Sequence, residues 1–551
     1  MSESTLFLRK ATGLVRSWSV FDAFIYAFFS INLVTLGMYI ISQMYFFEGG
    51  LVPTLIVSGI IIVSEVVVYA GLIAVMPRAG GDYVWQSRIL GGGLGFVLAV
   101  TGWWFILWLW TPLYADMLRH IFFVPLLGIL GLKDAALWFA WNPNAWFLVC
   151  VLMCAFVAVI IAMGMKTYAQ VQKICFWVGN AGLLVCILFL LFNNNDAFKA
   201  GLEANATKLF GAASGVYDAT LAAGANAGAA TPLMGGTIIA IFLAMPYIVF
   251  FNLWPNWGAT LYGEVKGADD FKRNFAGMAW ALGVTTVLGA VFYLLVDKTI
   301  TWNFLNNANA AYWSYRWGYT PDVQPPLNVW PYPGLLAMFL TTNPILQFVV
   351  ILAMSMWFFG WAGTIFLSST RVIFAASFDR LLPEFMASIE PRTRTPIWAL
   401  AFMVVPGLIV SALYVWNVFG FSSLTLASTL VIAVTYLGST IAAILLPYIK
   451  KDLYEASPIA KYKIAGIPLI TAAGVIFLAF LVFLLYEWLL DPNALYGIGY
   501  SINPAGLKNL TSLIFMGAMY LLAIIIYVAA KFYRKSQGVD LDKVYKEIPV
   551  E

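Results

Sequence analysis

The chain has 551 residues, of which 62% are hydrophobic and only 10% are charged, and its formal net charge is +4 at pH 7. A water-soluble globular domain is excluded, because no soluble core needs so much apolar surface. The positive excess is small, so it gives no reason to expect nucleic acid as a partner.

Apolar runs recur along most of the chain, and a run of about 20 residues is long enough to cross a bilayer as an α-helix. A transmembrane β-barrel is excluded, because its strands alternate apolar and polar residues over about ten positions. We therefore predict an all-α integral membrane protein. Its twelve predicted spans, numbered helix 1 to helix 12, are residues 20–46, 51–76, 92–118, 145–164, 170–192, 232–263, 275–296, 344–373, 397–416, 423–448, 465–490 and 510–530.

The first apolar run follows Arg9, Lys10 and Arg16, as the core of a signal peptide would. It is about 27 residues long and lacks a small-x-small cleavage site, so we interpret it as helix 1. A further apolar segment at 121–130 is too short to span a bilayer, and we predict that it is re-entrant or interfacial.

Lysine and arginine predict the orientation, because basic residues are retained on the cytoplasmic side of a membrane. With the N-terminal tail (1–19) inside, the predicted outer loops hold seven of the 30 basic residues: Arg119, Lys133, Lys199, Lys208, Lys298, Arg316 and Lys508. Both termini are thus predicted to be cytoplasmic, with the protein in the cytoplasmic membrane. The basic start of the C-terminal tail (531–551) could meet anionic lipid head groups, or the tail could simply be solvated.

Two predicted outer loops, 193–231 and 297–343, are long, poor in charge and rich in Asn, Ala, Gly and aromatic residues. They are candidates for an outer cap. The first contains a glycosylation sequon at Asn205, although so short a tripeptide often occurs by chance.

Cysteine and histidine give little sign of catalytic or metal chemistry. All four cysteines lie within predicted spans, and His120 is the only histidine. Cys150 and Cys154 share a helical face, where small apolar core residues are the simpler interpretation. No metal site, catalytic residue or cofactor is predicted, and we do not expect an enzyme.

Two predicted helices contain polar or helix-breaking residues near mid-span. Helix 1 includes "FFSINLVTLGMYI" (28–40), and helix 6 includes "YIVFFNLWPNWG" (247–258), where Pro255 removes a backbone donor. Interrupted helices in corresponding positions are typical of inverted-repeat transporters, whose substrate lies near the bilayer midplane. Ordinary kinks and interhelical hydrogen bonds are the alternative.

Glu65 lies in the middle of helix 2, where a charge facing lipid would cost roughly 2.5 kcal/mol or more. We expect its side chain to face the bundle interior, protonated or paired. It could couple transport to protons, balance the charge of an amine, or serve structurally by hydrogen bonding to a neighbouring helix.

Several motifs occur in an order that matches one family. "PRAGGDYVW" (77–85) follows helix 2, and its proline and glycines permit a tight turn after the span. Others are Gly102-Trp103, "GMKTYAQVQK" (164–173), Glu264-Val265-Lys266, "SSTRVIFAASFDRLLPEF" (368–385) and Pro396. Over roughly residues 8–450, the chain resembles the amino acid-polyamine-organocation (APC) superfamily of transporters.

The resemblance implies two inverted repeats of five helices, here residues 20–192 and 232–448, with helices 11 and 12 (465–530) added peripherally. It implies a small-molecule substrate, an amino acid or related amine, bound by broken helices 1 and 6. The implied substrate-binding residues are Ser30, Ile31, Asn32, Leu33, Thr35, Gly37, Phe250, Phe251, Asn252, Trp254 and Asn256.

The chain departs from the family pattern at both helices. The helix 1 segment keeps Gly37 alone, where family members commonly have several glycines. In helix 6, Trp254 could be an aromatic lid over the substrate, or it could fill the space left by a missing glycine. Large residues at these positions suggest a small or apolar ligand.

The coupling ion stays open at this stage. Some proton-driven relatives carry a lysine in helix 5, but the corresponding position here is near Gly179. Thr364 and Ser368 in helix 8 could offer oxygen ligands to sodium, although such hydroxyls often bond their own helix. Proton coupling, sodium coupling and uncoupled exchange are all compatible with the sequence.

Two functions follow from these patterns. The first is secondary active transport of amino acids or small amines by alternating access. The alternative is a transport-inactive membrane sensor, or a structural subunit that anchors a partner, because the helix 1 segment is glycine-poor and helix 6 is aromatic-rich. The sequence does not give the oligomeric state.

Overall fold

The computed structural model describes residues 13–424, 427–491, 502–503, 506–507 and 510–546. Within these residues, twelve helices are long and apolar enough to cross a membrane, which confirms the predicted number of spans. In chain order they are Val20–Ser42, Leu51–Val75, Gly92–Ile129, Pro143–Ala162, Met165–Phe192, Ile238–Glu264, Phe271–Thr299, Pro344–Phe378, Ile397–Val415, Leu430–Ile449, Leu469–Leu489 and Ser512–Ser536. The predictions that involve Arg9, Lys10, Lys508 and 547–551 lie outside the described residues.

Several helix ends follow ordinary capping chemistry. Helices 4 and 8 each begin with a proline directly after an asparagine cap, at Asn142 and Asn343. The asparagine side chain accepts a backbone N–H of the first turn, and proline has no N–H that would be left unbonded there. Gly164 separates helices 4 and 5 at a positive φ of 91°, so the chain reverses sharply between them.

The segment 121–130 is not a separate re-entrant element, so that alternative is wrong, and an interfacial position stays a prediction. Helix 3 continues through it to Ile129, with a π-helical turn at Arg119–Phe123. Pro125 lacks the N–H that would bond the carbonyl of Ile121, and the Ser355 hydroxyl donates to that carbonyl at 3.2 Å instead. The chain therefore keeps its helical course past the proline.

The predicted outer loops form a folded cap at one end of the bundle, called here the loop-rich end. It contains the helices Lys133–Trp141, Asn195–Phe210, Val216–Asn226, Trp302–Arg316 and Pro333–Met338. The cap is tied to helix 1, because the indoles of Trp313 and Trp330 both donate to the Ser42 hydroxyl, at 2.9 and 3.1 Å.

Asn205 lies inside this cap. It is 2% exposed, and its amide donates to the carbonyl oxygens of Gly201 and Phe339. The amide oxygen accepts from Gln347 at 3.0 Å. In the folded state, burial and these hydrogen bonds leave no room for a glycan on this side chain.

The opposite end, called here the tail end, is built around the turn after helix 2. Gly80 and Gly81 have positive φ values of 95° and 38°. An added Cβ at Gly80 would lie 2.5 Å from Ala375 of helix 8. The two glycines thus allow the turn to lie directly against helices 6 and 8, and the short helix Asp82–Ile89 follows.

The remaining elements connect or flank the spans. Helix 11 packs against helices 2 and 10, whereas helix 12 is largely exposed. The short helices are Glu384–Ala387, Val418–Leu424, Lys451–Glu455, Pro458–Lys461 and Leu541–Val544, and the two small antiparallel strand pairs are Lys463–Ile464 with Ile467–Pro468 and Ile502–Asn503 with Gly506–Leu507.

Candidate functional site

Helix 1 loses its regular winding at Asn32. The α-helix ends at Ile31, Asn32 adopts a left-handed conformation with φ 48°, and a π-helical segment follows at Leu33–Gly37. The Asn32 side chain closes the gap, since its oxygen accepts from the Thr35 N–H at 2.9 Å. Its amide donates to the Trp357 carbonyl of helix 8 at 3.1 Å. The protein itself therefore uses both ends of the amide at this break.

Helix 6 is interrupted more completely. Its α-helical part ends at Asn252, the next four residues include Pro255, and a 3₁₀-helix runs from Trp257 to Glu264. Asn256 is fully buried, yet neither its amide nitrogen nor its oxygen has a hydrogen bond. The Asn252 amide donates to the Ser58 hydroxyl of helix 2 at 2.6 Å, and its oxygen is also without a partner.

The two interrupted helices touch each other at Gly37. A Cβ added there would lie 2.7 Å from the ring of Phe251, so the ring packs directly on the glycine backbone. The Thr35 hydroxyl, two residues earlier, is buried without a hydrogen-bond partner. Thus helix 1 approaches helix 6 closely although the other small residues common in the family are missing.

The other predicted helix 1 and helix 6 residues are buried and mostly structural in this state. Ser30 donates to the Tyr26 carbonyl of its own helix at 2.7 Å. Ile31 and Leu33 are fully buried, and Phe250 packs near Trp488 of helix 11 with ring centroids 6.0 Å apart.

Trp254 belongs to a cluster of aromatic rings beside the helix 6 break. Its ring centroid lies 5.4 Å from that of Trp110 and 5.4 Å from that of Trp257, and both pairs meet edge to face. Trp103 packs on Trp257 at 4.4 Å. The Trp254 indole donates to the Phe250 carbonyl, which keeps the ring in place. These rings make one wall of the region that Asn256 occupies.

Glu65 faces the bundle interior, as the sequence predicts, and neither of its carboxyl oxygens has a hydrogen bond. It lies within electrostatic reach of Asp82 and of the Tyr436 hydroxyl of helix 10. That hydroxyl lies close enough to the Asn256 amide to interact with it, although the two groups do not meet the geometry of a hydrogen bond. Glu65 and the helix 6 break therefore border one buried polar region.

Asp82, just after helix 2, is held very differently from Glu65. It accepts hydrogen bonds from Tyr69 at 2.7 Å, from Trp103 at 3.0 Å and from Ser439 at 2.5 Å. Burial raises the pKa of this carboxyl, and the hydrogen bonds from the three side chains act against that rise. Sequence reasoning missed Tyr69, Tyr436 and Ser439, because polar residues in two helices far apart in the sequence show no pattern until the helices pack.

A comparison with protein families bears on this arrangement. The sequence profile described as amino acid permease matches residues 19–529, nearly the whole chain. The chain belongs to this family. It is thus an integral membrane permease, which agrees with its predicted resemblance and with its twelve apolar helices. A search of curated proteins found no match to the permease.

Thr364 and Ser368 join helix 8 of the permease to its neighbours. The Ser368 hydroxyl donates to the Trp257 carbonyl and bonds the Tyr26 hydroxyl, both at 2.9 Å. The Trp257 indole donates to the Thr364 carbonyl at 3.0 Å. Both predicted coupling residues thus connect helix 8 to helix 6, and Ser368 also reaches helix 1.

The space next to Gly179 is filled by an aromatic ring. A Cβ at this glycine would lie 2.9 Å from the Trp357 ring, and that ring packs on Phe28 of helix 1 at 4.9 Å. The position where some relatives carry a lysine is therefore occupied, in effect, by the indole of Trp357.

The tail end of the permease is closed by buried ion pairs between the sequence motifs. Arg371 of helix 8 pairs with Glu264 at 2.7 Å, and Arg88 pairs with Asp379 at 2.6 Å. Burial lowers the pKa of Arg88, but the charge of Asp379 outweighs it and the net shift is upward. Trp18 bonds the backbone of Glu264, which holds the start of helix 1 against helix 6.

A narrow crevice between helices 1 and 6 at this end has no room for a water molecule, and Tyr26 and Gly258 lie on its two sides. The motifs after helices 2, 6 and 8 therefore pack against one another at the tail end, which is closed to water between helices 1 and 6.

Proposed function

We propose that the permease is a secondary active transporter that moves amino acids or related small amines by alternating access. Three observations support the proposal: the family, the two interrupted helices, and the buried polar groups at the helix 6 break. The last carries the most weight. A buried amide that makes no hydrogen bond is unfavourable, so Asn256 is explained if a ligand bonds it during the transport cycle.

The substrate on this proposal lies between the breaks, with helix 6 supplying the polar contacts. Asn256 offers both a donor and an acceptor, and the free oxygen of Asn252 can accept from an ammonium group. Trp254 and Trp257 form an apolar wall beside them. Such a lining favours a small amino acid with an apolar side chain, as the bulky residues in the sequence suggest.

The movement that exposes this site is proposed to follow the two five-helix repeats, 20–192 and 232–448. Both chain termini are proposed to be cytoplasmic, so that the tail end faces the cytoplasm and the cap faces outward. The closed ion pairs of Glu264 and Arg88 then form the cytoplasmic gate.

The coupling ion is proposed to be a proton carried by Glu65. A buried carboxylate without hydrogen bonds is strongly disfavoured, whereas a neutral carboxyl in the same place is not. Glu65 borders both the helix 6 break and Asp82, so a proton that it holds can affect substrate binding. A sodium site has less support, because the Ser368 hydroxyl already forms hydrogen bonds with the Trp257 carbonyl and the Tyr26 hydroxyl.

Uptake by purified protein in liposomes tests the function and the ion together. Labelled amino acids and amines are offered under an imposed proton gradient, and separately under a sodium gradient. We expect accumulation with the proton gradient alone. Glu65→Gln should lose accumulation by at least tenfold while substrate exchange continues, because glutamine resembles the neutral carboxyl but cannot release a proton.

The control is Glu487→Gln, which alters another buried glutamate, in helix 11. It should transport normally. Equal accumulation by Glu65→Gln and the unaltered protein would refute proton coupling through Glu65. If no compound in the panel is taken up or raises the melting temperature, the transport hypothesis is wrong, and a sensor or an anchoring subunit is the better hypothesis.

A further inference from the structure

A cavity of about 430 Å³ lies at the loop-rich end of the permease, and none of its lining residues belongs to helix 1 or helix 6. It is called here the outer chamber. Its walls include Arg119, Trp141, Trp146, Tyr315, Arg316 and Val415. The volume lies within the range of small-molecule sites, roughly 300–1,000 Å³. The chamber is thus separate from the substrate site proposed above.

The charged wall of the chamber carries one excess positive charge. Asp116 lies behind the wall, and its carboxylate accepts from Arg119 at 2.6 Å and from Arg316 at 2.7 Å. His120 adds no charge, because its Nε2 accepts an N–H of Arg316 at 2.8 Å and an accepting imidazole nitrogen carries no proton. Two guanidinium groups therefore face one carboxylate.

The guanidinium groups are also well placed to hold a planar anion. Both lie over the ring of Trp146, at 4.6 Å for Arg119 and 5.6 Å for Arg316. Hydrogen bonds from Arg316 to His120, Tyr312 and Asp116 fix its orientation. Within the described part of the chain, its Nε–H has no acceptor. An ordered guanidinium with a free N–H is a good partner for a carboxylate.

The rest of the wall is flat and apolar. Trp141 and Trp146 each use the indole N–H on a backbone carbonyl, that of Asn328 and that of Pro112 respectively. The two guanidinium groups cover part of the Trp146 ring, so the aromatic surface open to a ligand comes mainly from Trp141. Val415, at the end of helix 9, adds an aliphatic surface.

We propose that the outer chamber is a second binding site, which takes a carboxylate borne on a flat apolar body. The carboxylate meets the guanidinium of Arg316, and the apolar body lies against the indole of Trp141. The site goes beyond the transport function and does not depend on it. It recognises the negative group alone and makes no use of an amine.

Protection of a new cysteine in the chamber tests this. The Val415→Cys protein is treated with a thiol reagent in detergent, where the native cysteines, all buried, react slowly: Cys150, Cys154, Cys175 and Cys186. The probe is phenylacetate, and the control is phenylacetamide, which has the same shape without the charge. We expect phenylacetate to slow labelling of the new cysteine at least fivefold and phenylacetamide to have little effect.

A second pair of variants separates charge from shape. Adding Tyr315→Glu places a negative group in the wall and should abolish protection, whereas Tyr315→Phe should preserve it. Neither change touches the ion pairs of Asp116. Equal protection by both probes, or by neither, would overturn the proposal.

The substrate site is distinguished by a variant outside the chamber. Asn256→Leu, added to Val415→Cys, should keep full protection by phenylacetate even if it no longer transports. Loss of protection in that variant would place the probe in the substrate site and refute a separate chamber site. Failure of transport in all variants, with protection intact, would refute only the transport function.

Discussion

The breaks in helices 1 and 6 differ in how the asparagine side chains beside them are hydrogen-bonded. At Asn32 the side chain satisfies the peptide groups that the break exposes and ties them to helix 8. At Pro255 the chain opens over four residues, and the Asn256 amide beside it is left unbonded. On the proposed function, helix 1 supplies structure at its break, whereas helix 6 supplies the polar groups that a substrate would contact.

The largest expected effect comes from removing the amide in helix 1. Asn32→Leu removes the acceptor of the Thr35 N–H and the side-chain donor to the Trp357 carbonyl, and it places leucine in a left-handed conformation. We expect a loss of stability of about 3 kcal/mol. The measurement is unfolding of the purified protein in detergent, followed by tryptophan fluorescence.

The matched control is Asn180→Leu, since that amide bonds only the Phe176 carbonyl of its own helix. It should cost less than about 1 kcal/mol. If the Asn32→Leu protein is stable but has lost substrate affinity, Asn32 contacts the substrate, and the structural role given to the helix 1 break is wrong.

The second expected effect is on binding and not on folding. Asn256→Leu removes an amide that makes no internal hydrogen bond, so stability should stay the same or rise. Substrate affinity should fall by roughly 30-fold, the equivalent of about 2 kcal/mol. Initial uptake rates and unfolding are measured on the same preparation. A stability loss like that of Asn32→Leu, with normal uptake, would show that the amide is structural.

The smallest expected effect tests the contact between the two helices. Gly37→Ala forces the Phe251 ring to move, because the new Cβ would lie 2.7 Å from it. We expect a cost of about 1 kcal/mol and a modest change in uptake. Gly277→Ala in helix 7, where no atom lies within 4 Å, is the control and should be neutral or stabilising. A neutral Gly37→Ala would mean that the two helices are less tightly packed than described.

The spans could be predicted well because continuous apolar length is sufficient to specify them. Their ends moved where capping chemistry intervened. Helix 6 begins at Ile238 and not at 232, since Thr237 caps it, and helix 4 begins at Pro143 after the Asn142 cap. The re-entrant prediction for 121–130 failed because its apolar length does not show that helix 3 continues without interruption as far as Ile129.

The candidate site was only partly visible in the sequence. Asn32, Asn256 and Glu65 stand out because polar residues are rare within apolar spans. Which of them has a free hydrogen-bonding group depends on neighbours from distant segments, such as Trp357 and Tyr436. The outer chamber was missed for the same reason, since its two arginines lie far apart in the sequence.

The shared hydroxyl of Ser42 has a mechanical consequence. Two cap indoles donate to it, and one turn earlier Tyr39 bonds Asp116, which in turn holds Arg316. These bonds hold the last turns of helix 1 and the cap helix Trp302–Arg316 together. A movement of this end of helix 1 that opens the loop-rich end must therefore move the cap with it or break several hydrogen bonds at the same time.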